Sequence, residues 1–284
     1  MPKKQQDRRP RRTLEEMVGL DAAVLEVFKR ITPPLTVRGV FYQLVTAKAV
    51  VKDEEHGYRD TKRWSLKMRR DGRIPYEWIA DPSRGRRVPL LWDSFDDYRE
   101  TVRSGFVIDP WQYQPRRVEV LVEKEALVGV LEKTTSKYRV PLLSGRGYNS
   151  ETALYNLAEI IGKRERPTVL LLLGDHDPSG QDIIRDNIGR LQRFTGGNNI
   201  ETEMLALTQE QVEEYDLPTR PPKPKDSRTK RWEGKGAVEL DALNPDVLRQ
   251  IVREGIERHI DWDHWQECLD AEKRIQSKVT KLLE

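Results

Sequence analysis

The chain is short of several things that would direct its reading elsewhere. It has a single cysteine, Cys268, in 284 residues, which leaves no disulfide framework and no cysteine-based zinc site. A reducing, intracellular setting is therefore expected. No apolar run approaches the roughly 20 residues of a membrane span, and the N-terminus has no hydrophobic core of a signal peptide. The expectation is a cytoplasmic protein, nucleoid-associated if prokaryotic, with no targeting or membrane segment. No G-x-x-x-x-G-K-[ST] phosphate-binding loop occurs, so an ATPase signature is missing, and no internal repeat is apparent. Apolar residues make up only 37% of the chain, but its length is enough to bury a core in one large or two compact domains.

What the chain does have is charge, and the charge is unevenly placed. Lys and Arg number 50 against 47 Asp and Glu, for a formal net of +3. Residues 1–117 hold 25 basic against 17 acidic side chains, and residues 118–284 hold 25 against 30. A basic front half suits a polyanion, and an acidic back half suits a site that collects cations. Ordinary solvated surface is the bland alternative for both. The opening, with Lys3-Lys4 and then Arg8-Arg9-Pro10-Arg11-Arg12, reads as a disordered basic arm over residues 1–12.

From Thr13 the pattern is helical. Thr13 with Glu16 three residues on forms a capping-box signal ahead of apolar residues at helical spacing. This predicts a helix over 13–31, stopped by Pro33-Pro34. A second helix is expected near 36–49, with Val37, Val40, Phe41, Leu44 and Val45 on one face, and a third near 59–71. Lys62, Arg63, Lys67, Arg69, Arg70 and Arg73 crowd that third helix and its exit. Short β-like segments around Ile74–Ile79 and Val88–Trp92 flank a turn carrying Arg84, Arg86 and Arg87. Helix, helix, basic helix and basic hairpin make a winged helix-turn-helix of the CAP-like kind over 13–115. The third helix would enter the major groove and the hairpin would follow the backbone. The competing reading is a helical domain with a solvated basic face.

After Pro115 the pattern changes. Strands are expected at Val118–Val122, Val140–Leu143, Thr168–Leu173 and Glu201–Leu207, with helices near 125–133, 150–162 and 180–194 between them. Such alternation means a parallel sheet with crossover helices, an α/β Rossmann-like fold over 116–284, with active sites at the carboxyl ends of strands. The Pro- and Lys-rich stretch 216–236 reads as a connector, and helices are expected near 246–259 and 264–283.

Four places could carry chemistry. Asp175 and Asp177, two residues apart at the end of an extended strand, point to the same side, and a divalent cation would offset their repulsion. Three other readings stay open: a turn and helix cap, a calcium loop through Asp175, Asp177, Ser179, Gly180 and Asp186, and a phosphoaspartate phosphatase. Glu123 ends another strand, so a parallel neighbour would bring it to the same rim. Three carboxylates there suit Mg²⁺. Gly145-Arg146-Gly147-Tyr148 sits where a strand passes into a helix, a place where backbone can approach a phosphate. Tyr42 follows Arg38 by four residues, on the same helical face; taken singly, Tyr42 beside Phe41 reads as core.

In combination these segments resemble the family of the topoisomerase VI A subunit and the meiotic double-strand-break transesterase. Thr36-Val37-Arg38-Gly39-Val40-Phe41-Tyr42 is similar to its catalytic-tyrosine motif, and Val122-Glu123-Lys124-Glu125-Ala126 to its first Toprim motif. Gly145–Tyr148 resembles its glycine turn and Gly174–Gly180 its DxD motif. Lys235–Leu243 resembles its late KAELEAL-type segment. The order matches from about residue 30 to 245. Phe41 stands where many members have a second tyrosine, and His176 and Ser179 depart from the commoner DxD loop. The resemblance implies a winged helix carrying nucleophile Tyr42, with Arg38 stabilising the phosphate, and a Toprim domain binding Mg²⁺ through Glu123, Asp175 and Asp177. It also implies a homodimer that cuts double-stranded DNA through a 5′-phosphotyrosyl link. A separate GHKL-type ATPase B subunit could supply strand passage. A Toprim nuclease using activated water, and a non-catalytic DNA-binding module, are the alternatives.

Overall fold

The computed structural model describes residues 14–80, 91–145, 151–197, 199–221, 232 and 236–283, side chains of 14–17 excepted. The chain divides into two compact units, Met1–Ala80 and Asp81–Glu284. The sequence patterning places a boundary near Pro115 instead.

The first unit is helical. Helix α1 (Leu14–Arg30), α2 (Val37–Thr46) and α3 (Arg59–Arg70) surround a core that includes Val24, Val27, Leu35, Val40, Leu44 and Met68, all fully buried. Each such side chain contributes about 1.5–3 kcal/mol by leaving water. Helix α2 starts where Thr36 Oγ1 accepts the Gly39 N–H at 2.7 Å, which satisfies a donor that the first turn leaves open. A short π-helical turn, Glu54–Tyr58, leads directly into α3, and Asp53 caps it through the His56 and Gly57 N–H groups.

The β-like segment at Ile74–Ile79 is not a strand. It contains a 3₁₀ turn, Tyr76–Trp78, and among the described residues its strand-like pairing is an isolated bridge between Leu35 and Ile79. Pro75 cannot donate to a ladder, and Ile74 and Ile79 are both buried against the helical core, five residues apart rather than alternating. The expected turn with Arg84, Arg86 and Arg87, and Val88–Leu90 of the second arm, lie outside the described residues. Leu91 and Trp92 are not in a strand.

The second unit is α/β, built on a four-stranded all-parallel sheet in the order β2-β1-β3-β4. Its strands are β1 (Arg117–Val122), β2 (Leu142–Ser144), β3 (Thr168–Leu173) and β4 (Ile200–Ala206). Helices α5 (Val128–Lys137), α6 (Glu151–Gly162) and α7 (Pro178–Phe194) make the crossovers. The central strand β3 is buried along its whole length, as a parallel strand covered on both faces must be. Beyond β4 come α8 (Gln209–Glu214), a 3₁₀ turn Leu240–Ala242, α9 (Pro245–Glu257) and α10 (Trp262–Leu283).

Helix α4 (Phe95–Gly105) was not anticipated. Ser94 caps it by accepting the Asp97 N–H at 3.0 Å, with Asp96 and Asp97 in the first turn. It lies along α10 within the second unit. Nearby, Glu272 of α10 accepts both guanidinium Nη atoms of Arg139 at 2.8 Å and the Ile108 N–H at 2.7 Å, tying α10 back to the sheet domain. Among the described residues, no helix is long and apolar enough to cross a membrane.

Candidate functional site

The parallel register decides where the carboxylates meet. Val122 of β1 pairs with Leu173 of β3, and the Glu123 N–H donates to Leu173 O at 2.8 Å. Both strands therefore end at the same level, and the residues just beyond them share one rim. There the Asp175 N–H donates to Glu123 Oε2 at 3.0 Å. The fit around that carboxylate is close. A Cβ on Gly180 would lie 2.9 Å from Glu123 Oε2 and 2.7 Å from Asp175 O, and one on Gly174 would lie 3.1 Å from Glu123 Oε2. Only residues without a side chain leave room for Glu123 in this cradle. Gly145 plays a similar part at the end of β2, where a Cβ would stand 2.9 Å from Glu123 O.

Each aspartate also has local work. Asp177 Oδ1 accepts the Gly180 N–H at 2.8 Å and caps α7, with Pro178 in its first turn; its Oδ2 is 3.9 Å from Arg220 Nη2. Asp175 Oδ1 accepts the Leu240 N–H at 2.8 Å and lies 2.9 Å from Lys124 Nζ. The capping reading of Asp177 is thus realised, and it leaves the second oxygen turned to a cation. Lys124 lies also within 3.2 Å of Glu239 Oε2 and 3.0 Å of Asp241 Oδ2, and Arg220 pairs with Glu239 at 3.2 Å.

The electrostatics are those of crowded acids. Burial, and then the charge of Asp175, push the Glu123 carboxyl above its usual range, against the Asp175 N–H that lowers it. Burial likewise raises Asp175, outweighing Lys124 and the Leu240 N–H. Burial alone would lower the Lys124 ammonium, but Asp241, Asp175 and Glu239 together more than offset it and raise it.

These features bear on whether Mg²⁺ fits. Glu123, Asp175 and Asp177 are hard oxygen donors of the kind that ion takes, and Glu123 and Asp175 meet at the ends of β1 and β3. The donor set fits a hard divalent cation. In the arrangement observed, no three His, Cys, Asp or Glu side chains among the described residues form a group that could hold a metal ion; Asp175 is directed at Lys124 and Asp177 at the start of α7.

His176, between the two aspartates, is turned elsewhere. It is buried, pairs its backbone with Val238, places Nε2 3.0 Å from Gln209 Oε1 and packs edge-on against Trp232.

Tyr42, Arg38 and the basic residues of α3 and its exit lie in the first unit. Tyr42 is only 4% exposed and packs against Phe41. Arg38, one turn earlier on α2, makes a two-pronged ion pair with Glu54 and stacks over the Tyr58 ring at 4.5 Å. Of the basic residues, Lys67 pairs with Asp71, Arg73 with Asp21, and Arg69 stacks on Tyr76 at 4.5 Å. Lys62, Arg63 and Arg70 are exposed on α3. Arg146, like Arg84, Arg86 and Arg87, lies outside the described residues.

No family model matches this chain, and no curated protein resembles it closely. The functional reading therefore stands on the residues themselves. Sequence reasoning missed Lys124, Arg220, Glu239 and Asp241 as members of the rim. The only signal for the last two was their place in the Lys235–Leu243 segment.

Proposed function

We propose that this chain cleaves double-stranded DNA by Mg²⁺-dependent transesterification, in the manner of a topoisomerase VI A subunit. In this reading the first unit belongs to a winged-helix DNA-binding domain, and the second is a Toprim domain acting within a homodimer. The observation that carries the reading is the meeting of Glu123 and Asp175 at the carboxyl ends of adjacent parallel strands, with Asp177 two residues on. That is where open parallel sheets place their chemistry. Glu123, Asp175 and Asp177 would hold the ion, which when bound offsets negative charge on the phosphoryl oxygens.

The remaining work falls to the protein's own groups. Lys62, Arg63 and Arg70 supply exposed positive charge for phosphates. Tyr42 Oη attacks phosphorus, the bond to the DNA 3′-oxygen breaks, and that oxygen leaves with a proton as the phenol gives one up. Arg38 stabilises the charge on the phosphate in transit. One phosphodiester is exchanged for another, so rejoining needs no ATP at the chemical step. Strand passage would call for a separate GHKL-type ATPase subunit.

A second reading has an observation of its own. Tyr42 is 4% exposed, and a nucleophile must reach its phosphate; a Toprim nuclease in which the carboxylates activate water needs Tyr42 only as core. Supercoiled plasmid incubated with Mg²⁺, quenched with detergent and run with and without proteinase separates the two. Breaks that enter the gel only after proteolysis, and vanish in Tyr42→Phe, establish the transesterase. Protein-free breaks that persist in Tyr42→Phe refute it in favour of the nuclease.

A further inference from the structure

Lys124 follows Glu123 directly, so the exit of β1 fixes both a carboxylate and an ammonium at the rim. The Lys124 Nζ stands 2.9 Å from Asp175 Oδ1, 3.0 Å from Asp241 Oδ2 and 3.2 Å from Glu239 Oε2. An ammonium has three N–H donors, and three carboxylate oxygens at these distances engage all of them. Two of those acids come from the far end of the domain. Glu239 and Asp241 flank the start of the Leu240–Ala242 turn and are 5% and 3% exposed, and the Leu240 N–H between them is itself bound to Asp175 Oδ1. Asp175 is therefore shared. It faces Glu123 through its backbone, and Lys124 with the 239–241 turn through its side chain.

Paired-metal phosphoryl-transfer sites set two cations about 3.5–4 Å apart, and on the metal reading Asp175 would hold one such ion while its Oδ1 already faces the Lys124 ammonium at 2.9 Å. Here one of the two places is filled by a side chain. We propose that Lys124 is a built-in second cation of the rim, filling the position between Asp175, Glu239 and Asp241, so that the site takes one divalent cation rather than two. The inference rests on reading Glu123, Asp175 and Asp177 as the metal ligands. Because its stem is anchored at the end of β1, this cation cannot exchange with solvent ions. It repels a second divalent ion from the same acids, and it ties the 239–241 turn to the strand ends whether or not metal is present. Lys124 acts here as a positioning residue that sets metal stoichiometry.

The test counts ions rather than turnover. Mn²⁺, an oxygen-seeking stand-in for Mg²⁺, is titrated into the full chain without DNA, and bound ion is read by electron paramagnetic resonance. Wild type and Lys124→Arg, which keeps the charge, are expected to bind one Mn²⁺ per chain. Lys124→Met, which keeps the stem and removes the charge, is expected to bind two. Circular dichroism with and without Mn²⁺ follows folding of the Met variant, which is expected to gain more thermal stability from the ion than wild type does. Two ions on wild type, or one on Lys124→Met, overturn the inference and leave the metal reading standing. A Met variant that stays unfolded in saturating Mn²⁺ also overturns it, since a divalent ion then fails to replace the ammonium. No ion on wild type overturns the metal reading itself, and this inference with it.

Discussion

Gly180→Ala sets two effects of opposite sign against each other. Gly180 lies in the first turn of α7, where alanine is a better helix former than glycine by about 1 kcal/mol. Helix propensity alone therefore makes the variant more stable. The cradle argues the reverse. The added methyl would meet Asp175 O at 2.7 Å and Glu123 Oε2 at 2.9 Å, and the first of these is backbone that cannot swing aside. Overpacking of this kind costs about 1–3 kcal/mol. The net expectation is a loss of roughly 1 kcal/mol, which for a unit of this size lowers the melting temperature by about 2–4 °C. The Glu123 carboxylate should also be displaced, so under the proposed function DNA cleavage should fall by more than the lost stability accounts for. Thermal melts of both proteins, followed by far-ultraviolet circular dichroism, supply the sign. A melting temperature raised above wild type would refute the close approach on which the site's geometry rests.

Two further predictions concern the two units separately. Arg70→Ala should weaken DNA binding evenly across sequences and make the salt dependence shallower by about 0.9 in logarithmic slope, the loss of one phosphate contact. Arg73→Ala, which removes the ion pair to Asp21 and leaves that carboxylate to the Trp64 indole N–H, should instead lower thermal stability; equal slope changes in the two variants, measured by fluorescence anisotropy, would contradict this division. In the second unit, Glu272→Ala should destabilise by about 1.5–3 kcal/mol, because Arg139 loses its carboxylate partner and keeps the Ile108 carbonyl at 2.6 Å. Burial would raise Glu272, but Arg139 and the Ile108 N–H outweigh it and hold it below its usual range. Its stabilising effect is therefore present above the ordinary glutamate range and lost as pH falls through the lowered value. The gap between wild type and Glu272→Gln in denaturant melts should close on acidification, and a gap that widened would reverse the sign.

The parts of this molecule that could be read from sequence are those set by local pattern. The Val118–Val122 and Thr168–Leu173 runs, short, apolar and rich in β-branched or aliphatic residues, read as buried strands, and both lie in strands. Once they are parallel neighbours, Glu123 and Asp175 must fall on one rim, as the register of Val122 against Leu173 places them. Asp177 announced itself both as a cap and as half of a DxD pair, and it does cap α7. Helix α4 carried a readable Ser94-x-x-Asp97 cap and apolar residues at helical spacing, Phe95, Tyr98 and Val102, so both signals for it were legible although none of its residues is buried. The Ile74–Ile79 segment misled because two buried isoleucines and nearby aromatics imitate a strand, while Pro75 and the helical core impose a turn. The Lys124 network was out of reach for another reason. Its partners Glu239 and Asp241 lie more than a hundred residues away, and no periodicity links a β1 exit to a 3₁₀ turn beyond β4.

The most direct measurement of the central claim compares wild type with Asp177→Asn on plasmid in Mg²⁺, with DNA affinity measured on the same preparations. Asparagine caps a helix as well as aspartate does, so the fold and the α7 start should survive while one rim charge is lost. The account predicts that Asp177→Asn binds DNA with near wild-type affinity and does not cut it. Cutting by Asp177→Asn at the wild-type rate would contradict the assignment of the β1–β3 rim as the site of DNA cleavage.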